Sequence, residues 1–332
     1  MDQPRVSVII PVKNQQRLLV QCLAALRESG LPDLEIIVAD DGCTDGTAAA
    51  AEAHGARVAR VPQPGGVSAA RNAGAAVAQG QILVFTDADV VFPPGALRTL
   101  VDCASAPGAD GAVGVFSGDM PFGNFASIWK NHWMRYTYRR MPDRIALFFT
   151  SAAALRAAAF RESRGFDENY RAPSVEDTDL GRRLAARGCN IRLCREAEVI
   201  HHKRYGVADV LRVDYARARA LVRLALRERA NPKRRGAAFS VPLAYPLGAF
   251  ALCAAAIFSG AAIATRGAAL LAAAAVLFVL ALVSSAGFLN SLRQEHGAAV
   301  FVKGLLFWGA DCVAVCLGAA SGALGFLLGK RY

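Results

Sequence analysis

The eight cysteines of this 332-residue chain, Cys22, Cys43, Cys103, Cys189, Cys194, Cys253, Cys312 and Cys316, form no Cys-x-x-Cys pair. That absence argues against a zinc site and against a disulfide framework, and the thiols read as reduced, cytosolic ones. No leader is expected either, because the apolar run at residues 6–12 is too short and Lys13-Asn14 follows it at once. The formal charge is +11, yet no nucleic-acid reader motif accompanies it, so nucleic acid is not an expected partner. Charge itself is missing from residues 236–265 and 267–292. Each of these stretches exceeds the roughly 20 residues that a bilayer crossing needs. Residues 304–329 make a third apolar stretch, rich in Gly and Ala and interrupted by Asp311. A charge inside a span calls for a partner helix or a polar path.

Composition therefore divides the chain near Arg235, and three regions are expected: a soluble α/β domain over 1–205, a basic amphipathic helix and linker over 206–235, and a membrane domain over 236–332. The basic residues concentrate at 135–144, 182–204 and 212–235, the last abutting the first apolar stretch. Basic charge in that position suits anionic lipid headgroups and places the entry to the first span in the cytoplasm. Two to three spans are expected. Three would put Lys330 and Arg331 on the far side, against the same rule, and a tight hairpin in the last stretch would make four. The expected location is the inner (plasma) membrane, multi-pass, with the α/β domain cytoplasmic.

Along the first region, apolar strand-like runs at 6–12, 34–39, 57–61 and 82–85 alternate with helical patterns. Strand, helix, strand implies right-handed crossovers and a mostly parallel sheet with helices on both faces. Gly65-Gly66 opens a small-residue helix that carries Arg71 and Asn72 near its start. Ser174 to Leu180 places Glu176, Asp177 and Asp179 at a helix N-terminus, where the macrodipole favours carboxylates. Capping alone would not require three of them. Between 122 and 149 aromatic and basic residues interleave, which fits either an amphipathic helix packed on the sheet or a platform for acceptor and membrane surface. In the helical pattern at 207–229, Leu211, Tyr215, Ala218, Val222 and Leu226 form one apolar stripe flanked by arginines, as in a helix lying in the bilayer interface.

The most informative short motif is Asp87-Ala88-Asp89, which ends the apolar run Ile82-Leu83-Val84-Phe85. Two carboxylates at the carboxyl end of a buried strand sit where ligands bind in open α/β sheets. As hard oxygen donors they suit Mg²⁺ or Mn²⁺, whose other positions go to water and substrate phosphates. The alternative is a solvated turn with an Asx cap.

Read together, Ser7-Val8-Ile9-Ile10-Pro11 with Asn14, Asp40-Asp41-Gly42 through Thr47, Ala70-Arg71-Asn72-Ala73-Gly74, Asp87-Ala88-Asp89, Gly165-Phe166-Asp167-Glu168 and Glu176-Asp177-Thr178-Asp179-Leu180 resemble the ordered motif set of the family 2 glycosyltransferases. The resemblance covers about residues 6–205 and implies the GT-A fold, a Rossmann-like α/β architecture. It implies a nucleotide-diphosphate sugar as donor, with UDP the commonest nucleotide and GDP and dTDP open. Asp41 would accept a hydrogen bond from the donor's base, with Pro11, Lys13, Asn14 and Arg71 around the nucleoside. Asp87 would contact the ribose, and Asp89, with Asp87 beside it, would hold Mg²⁺ or Mn²⁺ at the diphosphate. Asp177 resembles the catalytic base, supported by Glu176 and Asp179, and Asp167 would orient the acceptor.

His201-His202-Lys203-Arg204-Tyr205 is similar in spacing to the Gln-x-x-Arg-Trp motif of processive members, with His201 and Tyr205 departing from it. By that likeness His201 would face metal or diphosphate, and Arg204 the leaving phosphate. A polyprenyl phosphate is already ionised and needs no base, so the Glu-Asp motif favours a hydroxyl acceptor on a glycan or lipid-linked saccharide. A polyprenyl-phosphate sugar synthase and a non-enzymatic membrane scaffold with a decayed site are the alternatives.

Overall fold

The computed structural model describes residues 5–61, 63–229 and 242–332. These divide into two compact units, one of residues 5–122 with 138–203, the other of 123–137 with 204–229 and 242–332. The basic triplet Lys233-Arg234-Arg235 and the first residues of the apolar stretch that follows lie outside the described residues.

The first unit alternates β1 (Val6–Val12), α1 (Gln16–Arg27), β2 (Glu35–Asp40), α2 (Thr47–Ala53), β3 (Arg57–Arg60), α3 (Val67–Val77) and β4 (Ile82–Phe85). It continues with β5 (Val90–Val91), α4 (Ala96–Ser105), β6 (Gly111–Phe116) and, after α5 (Phe125–Arg139), with β7 (Arg144–Ile145), β8 (Ala153–Arg156), α6 (Ala157–Glu162), α7 (Glu176–Ala186) and β9 (Ile191–His201). The strands form one sheet in the order β3-β2-β1-β4-β8-β6-β9-β5, with β7 on β9. Strands β1, β2, β3 and β4 run parallel, with Ser7 opposite Glu35 and Val6 opposite Ile82. β1 is buried at almost every position, the near-continuous apolar run expected of a strand covered on both faces.

Beyond β4 the sheet is mixed. β8 runs antiparallel between β4 and β6, and β6 and β9 are parallel again. Because β1, β2 and β4 are parallel neighbours, the loops after Val12, Asp40 and Phe85 gather at one edge. The reversed β8 brings its own leading residues, Thr150 and Ser151, to that edge as well.

The second unit contains most of α5, together with α8 (Val207–Arg229), α9 (Ala244–Thr265) and α10 (Ala268–Leu327). Its core is aromatic. Trp129 of α5 meets Phe288 at 4.9 Å and Phe307 at 5.2 Å, both edge-on, and Trp133 meets Tyr245 and Phe288. Trp129 and Trp133 of α5 are thus packed on the apolar helices. Helix α8 buries Val210 and Leu224 and approaches α10 at glycines. A Cβ on Gly318 would lie 2.2 Å from the Tyr215 carbonyl oxygen, and one on Gly322 would lie 2.5 Å from that of Arg219. Small residues permit such close backbone approach between apolar helices.

Helices α9 and α10 are long and apolar enough to cross a membrane. α10 has 60 residues but breaks at Gly297, whose φ of 83° and ψ of 175° are not helical. A residue with a Cβ avoids that region. The stretches 267–292 and 304–329 therefore lie on the two arms of α10, close enough that a Cβ on Gly304 would lie 2.7 Å from Leu292. The hairpin allowed for within 304–329 is corrected by the structure. The second arm stays helical to Leu327, with Gly318, Gly322 and Gly325 packed against α8. Asp311, isolated by sequence in an apolar stretch, lies where the charges of Asp214 and Lys130 bear on it.

Candidate active site

The strand ends β1, β2 and β4 supply the floor of the site. Asn14, in the left-handed region at φ 53°, ties the loop after β1 to the loop after β2. Its Oδ1 accepts the Thr44 N–H at 2.8 Å and its Nδ2 donates to Thr44 Oγ1 at 3.2 Å. Pro11 lies in β1 opposite Ala39, and Lys13 is exposed at the mouth of the loop. Asp41 is buried, and its Oδ1 accepts the N–H groups of Gly65 and Gly66 at 2.9 and 3.1 Å. Gly66 must be glycine here: its φ is 86° and a Cβ would lie 1.8 Å from the Arg171 carbonyl oxygen. Part of Asp41's acceptor capacity thus goes to fixing the loop that starts α3.

From α3, Arg71 reaches the centre of the site, only 3% exposed. One arm of its guanidinium donates to Asp87 Oδ1 at 2.8 Å and the other to Glu176 Oε1 at 3.0 Å, while the group lies 5.4 Å from the Phe166 ring centroid. Burial alone would lower the Arg71 pKa, but Asp87 and Glu176 hold it above its usual value. The planar fork of arginine suits this double engagement, which a lysine point charge could not copy. Arg71 was expected around the nucleoside; in the structure its guanidinium joins two acidic motifs that are 89 positions apart.

The second oxygen of Asp87 accepts the Ser151 hydroxyl at 2.9 Å, so both oxygens of Asp87 have protein partners. Asp89 differs. Strand β5 runs antiparallel to the end of β9 with Val90 opposite His201, and this sets His201 Nε2 3.4 Å from Asp89 Oδ2. His201 itself stacks on Phe116 at 4.8 Å. Burial opposes a charge on Asp89, but the hydrogen bond and charge of His201, with the charge of Lys203, hold its carboxyl below the usual range. The adjacent His202 is pushed down by burial and by the charge of His201. A carboxylate kept ionised beside an imidazole is a donor set that fits Mn²⁺ or Mg²⁺. Asp87, the other member of the expected pair, accepts from Arg71 and Ser151.

On α7, Glu176 Oε2 accepts the Ser174 N–H at 2.7 Å, and Asp177 Oδ1 accepts the Thr178 N–H at 2.6 Å. Asp179 pairs with Arg183 at 2.8 Å, and Arg183 also donates to the Ser163 and Gly165 carbonyls. Asn72 clamps the same loop by accepting the Phe166 N–H and donating to the Phe166 carbonyl, both at 2.9 Å. Asp167 accepts from Asn169 within its own turn. Arg204 is exposed and is the first residue of a segment of the second unit. The structure thus links Asp87, Arg71 and Glu176 directly, with Asp177 next in sequence, and pairs Asp89 with His201. Sequence reasoning missed Ser151 and Phe116, which carry no local signal because a reversed strand and a stacking contact deliver them. The doublet Gly65-Gly66 was visible, and its two N–H donors could have been anticipated from the close backbone approach that glycines allow.

The sequence profile described as Glycosyl transferase family 2 matches residues 7–164. The chain is similar to validoxylamine A glucosyltransferase of Streptomyces hygroscopicus subsp. jinggangensis, 29% identical over 244 residues that cover 62% of this chain and 58% of the relative. It is also similar to N-acetylglucosaminyl-diphospho-decaprenol L-rhamnosyltransferase of Mycobacterium tuberculosis, 28% identical over 221 residues, 56% of this chain and 72% of the relative. The chain spans about half the length of most of the curated relatives it matches. Among solved structures, the mannosyltransferase PcManGT from Pyrobaculum calidifontis in complex with GDP-Man and Mn²⁺ shares the fold, with a TM-score of 0.59 at 18% identity over 97% of this chain and 88% of that one.

Proposed function

We propose that this chain, which belongs to glycosyl transferase family 2, transfers a sugar with inversion from a nucleotide-diphosphate donor to a hydroxyl of a glycan or lipid-linked saccharide. The observation that carries the reading is the buried Arg71 bridge, which joins Asp87 of the strand-end acidic pair to Glu176 beside Asp177. Donor-side and acceptor-side acids are thereby held in one rigid arrangement, as transfer between two bound substrates demands.

In this scheme Asp177 takes the proton of the acceptor hydroxyl as its oxygen attacks the anomeric carbon. The bond from that carbon to the nucleoside diphosphate breaks on the opposite face. Glu176, fixed by Arg71 and the Ser174 N–H, orients the start of α7 that presents Asp177. Asp41, Asn14, Pro11 and Lys13 border the place for the nucleoside, and Asp87 is set by Ser151 for the ribose side. Asp89 with His201 would hold Mg²⁺ or Mn²⁺, which when bound neutralises charge on the departing diphosphate.

The apolar helices α9 and α10 support membrane association, and within the proposal they anchor the enzyme in the inner membrane with the α/β unit cytoplasmic and an acceptor in or near the lipid. The donor nucleotide is UDP, GDP or dTDP in this scheme. The test is a panel of UDP-, GDP- and dTDP-sugars, scored by Mn²⁺-dependent thermal stabilisation and turnover of the purified protein in detergent. One donor class that both stabilises and turns over is expected; a protein indifferent to all of them with Mn²⁺ present would overturn the reading. Product chemistry separates the acceptors. A labelled lipid that is alkali-stable and mild-acid-labile, still formed by Asp177→Asn, would point to polyprenyl-phosphate synthesis instead.

A further inference from the structure

The helical unit carries a second cluster of metal-binding side chains, unrelated to the sugar-transfer site. His132 of α5 with Glu295 and His296 of α10 each offer one donor atom, all within 4.8 Å of one another. His132 Nδ1 lies 3.7 Å from Glu295 Oε2, and the rings of His132 and His296 meet edge to face at 5.1 Å.

The geometry points to a transition-metal site here, with Zn²⁺ the best fit, in which two imidazoles and one carboxylate supply three ligands and water the fourth. Two nitrogen donors out of three select Zn²⁺ over Mg²⁺ or Ca²⁺, and His₂Glu with one open position is an established zinc donor set. Zinc bonds of about 2.0–2.2 Å need donors only somewhat closer together than they stand here. Adjacent helical residues normally diverge in direction. Glu295 and His296 nonetheless both address His132, immediately before the non-helical Gly297. His132 is fully buried beside Phe288 at 5.5 Å, so one ligand is already immobilised.

Glu295 is held from behind, Oε2 by Arg135 Nη1 at 2.6 Å and Oε1 by the Ser291 hydroxyl at 3.1 Å. Ligating carboxylates characteristically carry such outer hydrogen bonds, and each oxygen keeps a further lone pair. The Arg135 charge opposes a cation and sets the affinity below that of an all-histidine site. A metal here would clasp α5 to the break in α10, between the two apolar stretches of that helix.

The experiment uses the full chain without a histidine tag, in detergent, in an Asp89→Asn background so that the sugar-transfer site does not contribute. Equilibrium dialysis with Zn²⁺ should leave about one equivalent per chain and raise the thermal midpoint. Co²⁺ should give the visible bands of a four-coordinate site. His296→Gln and Glu295→Gln alter the less buried ligands and spare the core around His132. Each should weaken Zn²⁺ binding at least tenfold, the scale on which even outer-shell changes act, and should abolish the Zn²⁺-induced stabilisation. Retention of no Zn²⁺ by the parent protein, or equal retention and stabilisation in folded His296→Gln, would overturn the assignment.

Discussion

Both units of this protein bury a cation against carboxylate, and the two arrangements differ in kind. In the α/β unit Arg71 spans Asp87 and Glu176 with separate arms of its fork, and each carboxylate's second oxygen is fixed in turn by Ser151 or by the Ser174 N–H. In the helical unit Lys130 pairs with Asp214, and the charges of both bear on Asp311. The Asp87 side chain remains 29% exposed, whereas that of Asp214 is 12% exposed. A directional fork on a site still open to a ligand fits the proposed chemistry. A point charge in a closed core neutralises buried acids and joins helices α5, α8 and α10.

If that contrast is right, the two clusters respond oppositely to substitution. Arg71→Lys keeps the charge and loses the fork, so turnover should fall on the order of 100-fold, the scale of an ångström-sized misplacement, in a protein that still melts cooperatively; steady-state kinetics beside a melting curve checks this. Lys130→Met should do the reverse. Removing one partner of a buried ion pair costs about 3–5 kcal/mol, so its thermal midpoint should drop while the rate per folded molecule stays at the parent value. A Lys130→Met enzyme that melts normally but has lost turnover would erase the distinction. The smallest effect is expected from Ser151→Ala, which deletes one hydrogen bond to Asp87. At roughly 1 kcal/mol, donor affinity measured by calorimetry should weaken about fivefold.

Much of the α/β unit was legible because its signals are local. The run at 82–85 ending in Asp87 and Asp89, the Gly65-Gly66 helix start and the acids opening α7 are each written within a dozen residues. What was not legible depends on contacts between distant segments. Periodicity cannot say that β8 reverses direction between β4 and β6, so Ser151 could not be placed beside Asp87. Nor could it say that Arg71 would be consumed by two acids. For α5 the pattern was amphipathic and the partner ambiguous, since an aromatic face fits a sheet, a bilayer or other helices equally well. Here Phe288 and Phe307 of α10 take it. Two apolar stretches divided by charged residues read as separate spans, and in the structure they lie on the two arms of α10 that meet at the non-helical Gly297.

The central claim is that acids from the strand end and from the start of α7 act on one donor and one acceptor. It is tested most directly by measuring donor binding and sugar transfer side by side in Asp177→Asn. The account predicts Mn²⁺-dependent donor binding close to that of the parent, with transfer reduced by about 10²–10⁴, the usual worth of a general base. Undiminished transfer to the same acceptor would contradict it.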